Sequence, residues 1–543
     1  MTQSHPDQSF DKRALMPKTP GTRELCFAFF LFLAFSLVSL YFSSIHSPFY
    51  RYSYFQDANV YMSVAKAMKH GLMPYRDVFD HKGILLYLIN YAATLLFPKS
   101  MTGIYLILSL SLTGFLFYGY RIARMFIPVG PSLLAAILPL LFRVGSESLF
   151  PFGLGPSEEY MLPCLMACLF YLIRLSQPSE EYPNNGTNRL FFDSLIVGLF
   201  SGMMLWIKYS TLPAIGVSFL LLYIFLFSQK RGKDVLRSLS GVCLGVLLIS
   251  MPLLLFLGAK GIAGDMWSSY ILFNSKYVGG KVPDGYSADN MSNLYRTLPQ
   301  ILLSVPGILY LRKKTTWITR TGAGCVLAYL IMNLLTVLIS GRFYYYYFLA
   351  FMPFPVLATT AVLHWIREIF ARQSRIGFSR TMSRALIAGS IVLILSVNIY
   401  SSKINLPNGS VLYPKTNMEH CAEAINEYWD QNGNGRPPRI ISFTVMEAGL
   451  MQLCDTYPQN RYFYMPGVFG SEADAIIREQ ISYIEQGTVD FVFVYGNYSA
   501  ASLVSQTNAE YEQIYIRENL RSGDGSHYYI YAKVDRIQED GKG

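Results

Sequence analysis

Charged residues are scarce in this 543-residue chain. Asp, Glu, Lys and Arg together make up 15% of it, whereas apolar residues make up 52% and the mean hydropathy is +0.29. Soluble domains carry about a quarter charged residues. The composition therefore excludes a soluble protein built around a single core and predicts a polytopic α-helical membrane protein.

Several familiar patterns are also missing. No Cys and His set has the spacing of a structural zinc site, and no strong Walker, Rossmann, Ser-His-Asp or His-Glu-x-x-His pattern occurs. These absences disfavour nucleotide-driven transport and proteolysis. Cysteines are few, and five of the seven fall in apolar runs; Cys421 and Cys454 follow those runs and could pair.

Long apolar runs are what the chain does contain. A helix that crosses a hydrocarbon core needs about 17 to 25 residues. We predict eleven spans, at residues 25–42, 102–120, 131–149, 160–175, 191–207, 211–228, 236–257, 297–311, 321–340, 344–363 and 385–400. The apolar run at 84–97 is shorter, so we predict a helix that lies on or dips into the outer face.

Lys and Arg fall in every second connection between these predicted spans, beginning in the N-terminal tail. Cytoplasmic connections retain such residues, so we expect the N-terminus inside and the C-terminus outside the cell. The same distribution accounts for the net charge of +10 without a nucleic-acid partner. We therefore expect a multi-pass protein of the inner (plasma) membrane, with a cytoplasmic tail at 1–24 and a transmembrane domain at 25–400.

The pattern changes after residue 400. Strand-like runs at 439–445, 461–465, 490–495 and 527–534 alternate with helical patterns near 417–430, 471–486 and 499–508. Alternating strands and helices predict a small α/β domain at 401–543. The parity of the spans places it outside the cytoplasm.

The most distinctive segment is the polar loop at 43–101, between the first two predicted spans. Asp57 precedes a predicted helix at 58–70, and the loop continues with Phe79-Asp80-His81-Lys82-Gly83-Ile84. This arrangement resembles the first external loop of the GT-C membrane glycosyltransferases that use polyprenyl-phosphate sugars, such as protein O-mannosyltransferases and lipid A aminoarabinose transferases. The chain departs from their motif at Gly83-Ile84, where Pro-Pro or Gly-Pro is common. The resemblance covers about residues 25–365 and implies a GT-C-like fold with a catalytic first loop.

Two residues of this loop have competing interpretations. A carboxylate at a helix start, such as Asp57, commonly caps the free N–H groups of the first turn. The resemblance instead implies that Asp57 is the base that deprotonates the acceptor hydroxyl. Lys82 is either an interfacial lysine or, as the resemblance implies, the cation that neutralises the donor phosphate. We assign His81 beside it to substrate binding.

Acidic residues also occur in the second predicted external loop, at Glu158 and Glu159. Adjacent carboxylates in a loop are often only solvated. The resemblance implies that an acidic residue here orients the base or binds acceptor or metal, so both are catalytic candidates and a divalent metal stays open as a cofactor. Neighbours on a helix point about 100° apart, which favours one of them, Glu158, facing the site.

A third external segment, Gly341–Phe348, resembles a Gly-Arg-x-Tyr-x-His-Tyr-Phe signature of bacterial relatives. The resemblance implies that Arg342 binds the donor phosphate, and Lys208 at the outer end of another span could do so too. Tyr345 and Tyr346 are assigned to substrate binding. Tyr346 stands where relatives have His, and an aromatic belt at the membrane interface is the alternative for both tyrosines.

The resemblance implies an inverting hexosyl- or pentosyltransferase. It would move a sugar from a polyprenyl-phosphate donor to a cell-envelope glycan, lipid or protein on the outer face. The alternatives are a flippase or transporter of polysaccharide or lipid, and a polysaccharide polymerase or ligase. A transporter places its charged residues near mid-span, whereas the distinctive polar residues here cluster at one face.

Overall fold

The computed structural model describes residues 20–142, 152–177, 186–279, 291–372, 380–401, 403, 405–468, 470–496, 498–519 and 526–534. Nearly all of the predicted N-terminal tail and the end of the predicted span at 131–149 lie outside these residues. In chain order the helices are α1 (Thr22–Ser43), α2 (Gln56–Lys69), α3 (Ile84–Leu96), α4 (Thr102–Ala123), α5 (Val129–Ile137), α6 (Ser157–Leu175), α7 (Gly186–Ile207), α8 (Leu212–Ser228), α9 (Gly232–Ala259), α10 (Ala263–Met266), α11 (Phe273–Gly279), α12 (Ser292–Lys314), α13 (Arg320–Ser340), α14 (Pro355–Arg372), α15 (Arg380–Ser401), α16 (Asn417–Asn432), α17 (Leu450–Leu453), α18 (Ser471–Glu485) and α19 (Tyr498–Thr507).

Seven of the described helices are long and apolar enough to cross a membrane: α1, α4, α7, α8 with the turn before it, α9, α13 and α15. The 3₁₀-helix Tyr345–Phe351 and the start of α14 are bent by 49° and would form an eighth span if they cross together. Helices α6 and α12 coincide with two more predicted spans but carry charged residues. Helix α5 is short. The predicted count of eleven therefore stays a prediction.

Close helix packing holds the membrane part together, most clearly between α7 and α9. A Cβ added at Gly198 would lie 2.2 Å from the carbonyl oxygen of Val242, and one at Gly245 would lie 2.3 Å from that of Leu195. Small residues let helix backbones approach in this way where lipid gives no hydrophobic drive for association. The large apolar side chains of α9, such as Leu255 at 67% exposure, point outward instead, as lipid-facing residues do.

The predicted loop at 43–101 contains α2 and α3, which pack on each other. Helix α2 is buried along most of its length although it is not apolar overall. The predicted short helix at 84–97 is confirmed as α3, which packs on α2, α4 and α7. A polar insert of this kind, folded back onto the bundle, fixes Asp57 and Lys82 at one end of the membrane helices.

The C-terminal part forms a four-stranded sheet in the order β1 (Ile440–Ser442), β2 (Phe491–Gly496), β4 (His527–Lys533), β3 (Tyr511–Glu518). Strands β1 and β2 are parallel, and the other pairs are antiparallel. Helix α16 begins with a capping box between Thr416 and Glu419 and packs on β3 and β4. The three predicted helices and three of the predicted strands are found.

Two expectations about this part were wrong. The run at 461–465 is not a strand, although the backbone N–H of Ser442 donates to the carbonyl oxygen of Phe463, 2.8 Å away. Strand β3 was missed because its side chains alternate only weakly. Cys421 and Cys454 are both buried and both free thiols in this structure.

The first loop and the C-terminal part are joined by direct contacts. Arg51 forms an ion pair with Glu419 of α16 and donates to the carbonyl oxygen of Ser410, 2.7 Å away. The hydroxyl groups of Tyr52 and Thr416 lie 2.9 Å apart. These contacts place the C-terminal part at the same end of the helices as Asp57 and Lys82.

Candidate active site

A cavity of about 740 Å³ lies where the first loop, the membrane helices and the C-terminal part meet. Seven of the nine predicted site residues line it, namely Asp57, His81, Lys82, Glu158, Lys208, Tyr345 and Tyr346. Its wall also includes Met332 and Val337 of α13 and, from the C-terminal part, Met446 and Tyr464. Residues separated by almost the whole membrane domain in sequence are therefore brought together.

Asp57 is not the cap of its helix. Helix α2 starts one residue earlier with Phe55 as N-cap, and no side-chain capping hydrogen bond is present. Within the described part of the chain, the Asp57 carboxylate has no hydrogen-bond or ion-pair partner. Its position in the first turn of α2 nevertheless favours the ionised form, because the N-terminal end of a helix carries partial positive charge. The interpretation of Asp57 as an N-cap is thus wrong.

The electrostatic surroundings of Asp57 combine opposing effects. Burial raises the pKa of its carboxyl group above the usual range, and the charges of Lys82 and Lys208 act in the opposite direction. Asp80 and Glu158 add to the rise. A carboxylate with a raised pKa and no partner among the described residues is suited to accept a proton.

The side chains of His81 and Asp80 lie in a row behind Lys82. Its Nζ lies 3.0 Å from Nε2 of His81, and Nδ1 of His81 lies 3.3 Å from Asp80. The Asp80 carboxylate also accepts hydrogen bonds from the hydroxyl groups of Tyr87 (2.8 Å) and Tyr464 (2.9 Å). The lysine ammonium is thereby placed at the cavity wall, with no direct ion pair to a carboxylate among the described residues.

These three side chains also influence the protonation of His81 and Asp80. Burial and the charge of Lys82 lower the pKa of His81 to about 4, so the imidazole is neutral at physiological pH and can accept a hydrogen bond from the ammonium group. Burial disfavours ionisation of Asp80, but Lys82, His81 and Tyr87 together outweigh it and hold its pKa below the usual range. The cluster therefore presents one lysine cation backed by one carboxylate.

Gly83 allows the first loop to approach the end of α7 closely. The backbone N–H of Gly83 donates to the carbonyl oxygen of Ile207, 3.0 Å away, at the end of α7. A Cβ at Gly83 would lie 2.1 Å from the carbonyl oxygen of Trp206, which no side chain could tolerate. This close approach brings Lys82 next to Lys208, the residue that follows α7.

Lys208 and Glu158 form an ion pair in the cavity wall. Nζ of Lys208 lies 2.5 Å from one oxygen of Glu158, and the hydroxyl of Ser157 donates to the other at 2.9 Å. The ammonium group also lies over the ring of Tyr347, 4.3 Å from its centroid. Both oxygens of Glu158 are therefore engaged, in contrast to those of Asp57.

Glu159 and Arg342 do not line the cavity. The Glu159 carboxylate accepts hydrogen bonds from the backbone N–H groups of Gly153, Leu154 and Gly155, at 2.8 to 3.2 Å, and so organises the loop before α6. Arg342 is buried behind the wall and donates to the carbonyl oxygen of Gly467, which does line the cavity. The structure thus places Glu159 and Arg342 around the site and not on its surface.

Comparison with solved structures identifies the architecture. ArnT from Cupriavidus metallidurans, bound to undecaprenyl phosphate, matches with a TM-score of 0.59 at 11% identity, over 93% of this chain and 98% of that one. The arabinofuranosyltransferase AftD from Mycobacteria matches with a TM-score of 0.52 at 12% identity, over 96% of this chain and 42% of that one. The Archaeoglobus fulgidus oligosaccharyltransferase matches with a TM-score of 0.50 at 14% identity, over 94% and 75%. All three are GT-C proteins.

The chain has the GT-C fold. No family model and no curated protein matches the sequence. Because a shared fold hosts different chemistries, the activity has to be argued from the cavity itself.

Sequence reasoning missed part of the cavity. Asp80 lies in the same motif as His81 and Lys82, so the sequence could have predicted it as the partner of His81. Asn274 of α11 donates to the backbone carbonyl oxygen of His81, 2.7 Å away, but no single residue of the aromatic and polar segment at 258–296 was distinctive in the sequence. Tyr464 had no local signal, because its partner Asp80 is 384 residues away in sequence.

Among the described residues, no group of three or more His, Cys, Asp or Glu side chains is arranged to hold a metal ion.

Proposed function

We propose that this protein is a membrane glycosyltransferase that takes a sugar from a polyprenyl-phosphate donor and transfers it to a cell-envelope acceptor on the outer face. One observation carries the proposal. A single cavity combines the Asp57 carboxylate, which has no partner among the described residues, with the ammonium groups of Lys82 and Lys208. A base and a phosphate-binding cation are the two groups that transfer from a sugar phosphate needs.

The cavity also suits a lipid-linked donor. Its wall includes Ile339 near the end of α13, an apolar residue that is 72% exposed. The cavity therefore opens beside an exposed apolar residue of a membrane helix, where a polyprenyl chain would stay in the bilayer while its phosphate meets the lysines. The structure of ArnT bound to undecaprenyl phosphate supports this class of donor.

The reaction follows from these positions. Asp57 accepts the proton of an acceptor hydroxyl, and the hydroxyl oxygen attacks the anomeric carbon of the donor sugar. The bond between that carbon and the phosphate oxygen breaks, and the electron pair leaves with the phosphate. Lys82 and Lys208 stabilise the negative charge that develops there. Attack from the face opposite the phosphate inverts the anomeric centre.

Asp57→Asn tests the assignment of the base. It keeps the size of the side chain and removes the proton acceptor, so we expect turnover to fall by about 10²- to 10⁴-fold, the range for loss of a general base. The measurement is release of undecaprenyl phosphate from a panel of undecaprenyl-phosphate hexoses and pentoses, supplied with an envelope glycan extract. Asp430→Asn, at an exposed position of α16, serves as the control and should retain full turnover.

Two further readouts separate chemistry from folding. Asp57→Asn should bind undecaprenyl phosphate and unfold thermally as the parent protein does. If the variant transfers sugar at the parent rate, Asp57 is not the base. If the parent protein translocates these lipids without cleaving the sugar phosphate bond, the chain is a transporter and the proposal fails.

A further inference from the structure

A second cavity, of about 500 Å³, lies between the first loop and the C-terminal sheet. Among its lining residues are Tyr52, Tyr413, Lys415, Thr416, Phe493, Tyr495, Asn519 and Tyr528. Tyr54, Gln56 and Met446 line both this cavity and the one that holds Asp57. The two cavities are therefore neighbours along the segment that leads into α2, and Gln56 directly precedes Asp57.

The floor of the second cavity is aromatic. Phe493 and Tyr495 lie two residues apart on β2 and so point to the same side of the sheet, and Tyr528 of β4 is the register partner of Tyr495. The rings of Tyr495 and Tyr528 are 4.9 Å apart between centroids, and those of Phe493 and Tyr528 are 6.4 Å apart. Farther along the same face, Trp429 of α16 covers Phe491. The rings of Phe493, Tyr495 and Tyr528 are not covered by Trp429 and face the cavity.

The polar groups around this floor are mostly uncharged hydroxyls and amides. The hydroxyl groups of Tyr52 and Thr416 contact each other at 2.9 Å, and the amide of Asn519 donates to the hydroxyl of Tyr495, also at 2.9 Å. Lys415 is the single charged residue among the described lining residues, and it forms an ion pair with Glu423. The lining therefore offers aromatic faces and neutral hydrogen-bonding groups, with little net charge.

We propose that this second cavity is the acceptor site and that it binds a neutral oligosaccharide. The inference rests on the proposed glycosyltransferase function. Sugar rings present apolar C–H faces that pack on aromatic rings and a rim of hydroxyl groups that pair with tyrosine and amide side chains. An anionic acceptor would instead need several free cations. A glycan seated on Tyr495 and Tyr528 extends past Tyr54 and Gln56 and presents its terminal hydroxyl group to Asp57.

Binding measurements on the full-length protein in detergent test this site. The probes are neutral tetrasaccharides built from glucose, mannose, galactose or rhamnose, an anionic lipid A-type glycolipid, and an uncharged Ser/Thr-rich peptide. We expect at least one neutral glycan to bind. Tyr413→Ala and Tyr495→Ala should each weaken that binding at least tenfold, whereas Tyr515→Ala, on β3 and lining neither cavity, should not.

Undecaprenyl phosphate serves as the internal standard. Its affinity should be the same in all three variants, since none of the three side chains lines the cavity of Asp57. The acceptor proposal is overturned if no neutral glycan binds, if only the glycolipid or the peptide binds, or if the two variants bind glycan as the parent does. Failure of the parent protein to bind undecaprenyl phosphate counts against the glycosyltransferase proposal instead.

Discussion

At the scale of single residues, positive and negative neighbours shift the pKa of Asp57 in opposite directions. Burial raises the pKa of Asp57 above its usual range, Lys82 and Lys208 lower it, and Glu158 raises it. A base works only when unprotonated, so turnover should rise with pH through the pKa of Asp57. The pH at which turnover rises, the acidic limb of the pH profile, therefore depends on the charged neighbours of Asp57 as well as on Asp57 itself.

For two variants, the direction in which this acidic limb moves along the pH axis can be predicted. Lys82→Ala removes a positive charge that favours the carboxylate, so the acidic limb of kcat/KM against pH should move to higher pH. Glu158→Gln removes a negative charge that disfavours the carboxylate, so the limb should move to lower pH. Steady-state rates across the acid range measure both. Limbs that stay in place or move in the same direction would contradict Asp57 as the titrating base.

Glu158 and Glu159 are adjacent but should respond differently to substitution. Glu159→Gln leaves the N–H groups of Gly153, Leu154 and Gly155 with one acceptor oxygen and an opposing N–H₂ group, so the free energy of unfolding should fall by about 1 to 3 kcal/mol. Glu158→Gln should mainly lower turnover, because it releases Lys208 from its ion pair. Thermal unfolding and transfer assays on both variants separate the effects. Equal losses of stability would refute the distinction.

At the scale of elements, the loop at 461–467 completes the cavity from the C-terminal side. Tyr464→Phe removes one of the two tyrosine hydroxyls that bind the Asp80 carboxylate, and hydrogen bonds to charged groups contribute about 1.5 to 3 kcal/mol. We expect undecaprenyl phosphate to bind about tenfold more weakly, because Lys82 is less firmly placed. Tyr511→Phe is the matched control, since its buried hydroxyl donates to the backbone carbonyl oxygen of Val489 and Tyr511 lines neither cavity. An equal effect of both variants would remove the loop from the site.

Elements with a strong local pattern could be predicted from the sequence, and contacts between distant elements could not. The predicted helix at 58–70 is α2, but its start lies two residues earlier, which changed Asp57 from a cap to a first-turn residue. The segment at 461–465 contains aromatic residues typical of a strand, yet its backbone hydrogen bonds are scattered among Phe79 of the first loop, Ser442 of β1 and Val445. Its contribution to the cavity through Tyr464 depends on the tertiary fold, which no local pattern encodes.

At the scale of the whole molecule, the contacts of Arg51 with α16 bind the first loop and the C-terminal part to one end of the bundle. The Lys and Arg distribution predicts that this end is extracytoplasmic. In a cysteine-free background, a cysteine at Asp430 should react with an impermeant maleimide in intact cells. One at Lys233, in the first turn of α9, should react only after lysis. The reverse pattern would invert the predicted topology.

The exposed Ile339 side chain at the cavity wall has a kinetic consequence. A donor that enters there arrives by lateral diffusion and never passes through bulk water. Its effective concentration is then its mole fraction among the surrounding lipids, and diluting the reconstituted enzyme with more lipid at a constant amount of donor should slow the reaction. An acceptor oligosaccharide of the kind proposed above would come from the aqueous side, so its concentration would be the ordinary concentration in solution. The reaction rate would therefore depend on the mole fraction of the donor in the membrane but on the concentration of the acceptor in solution.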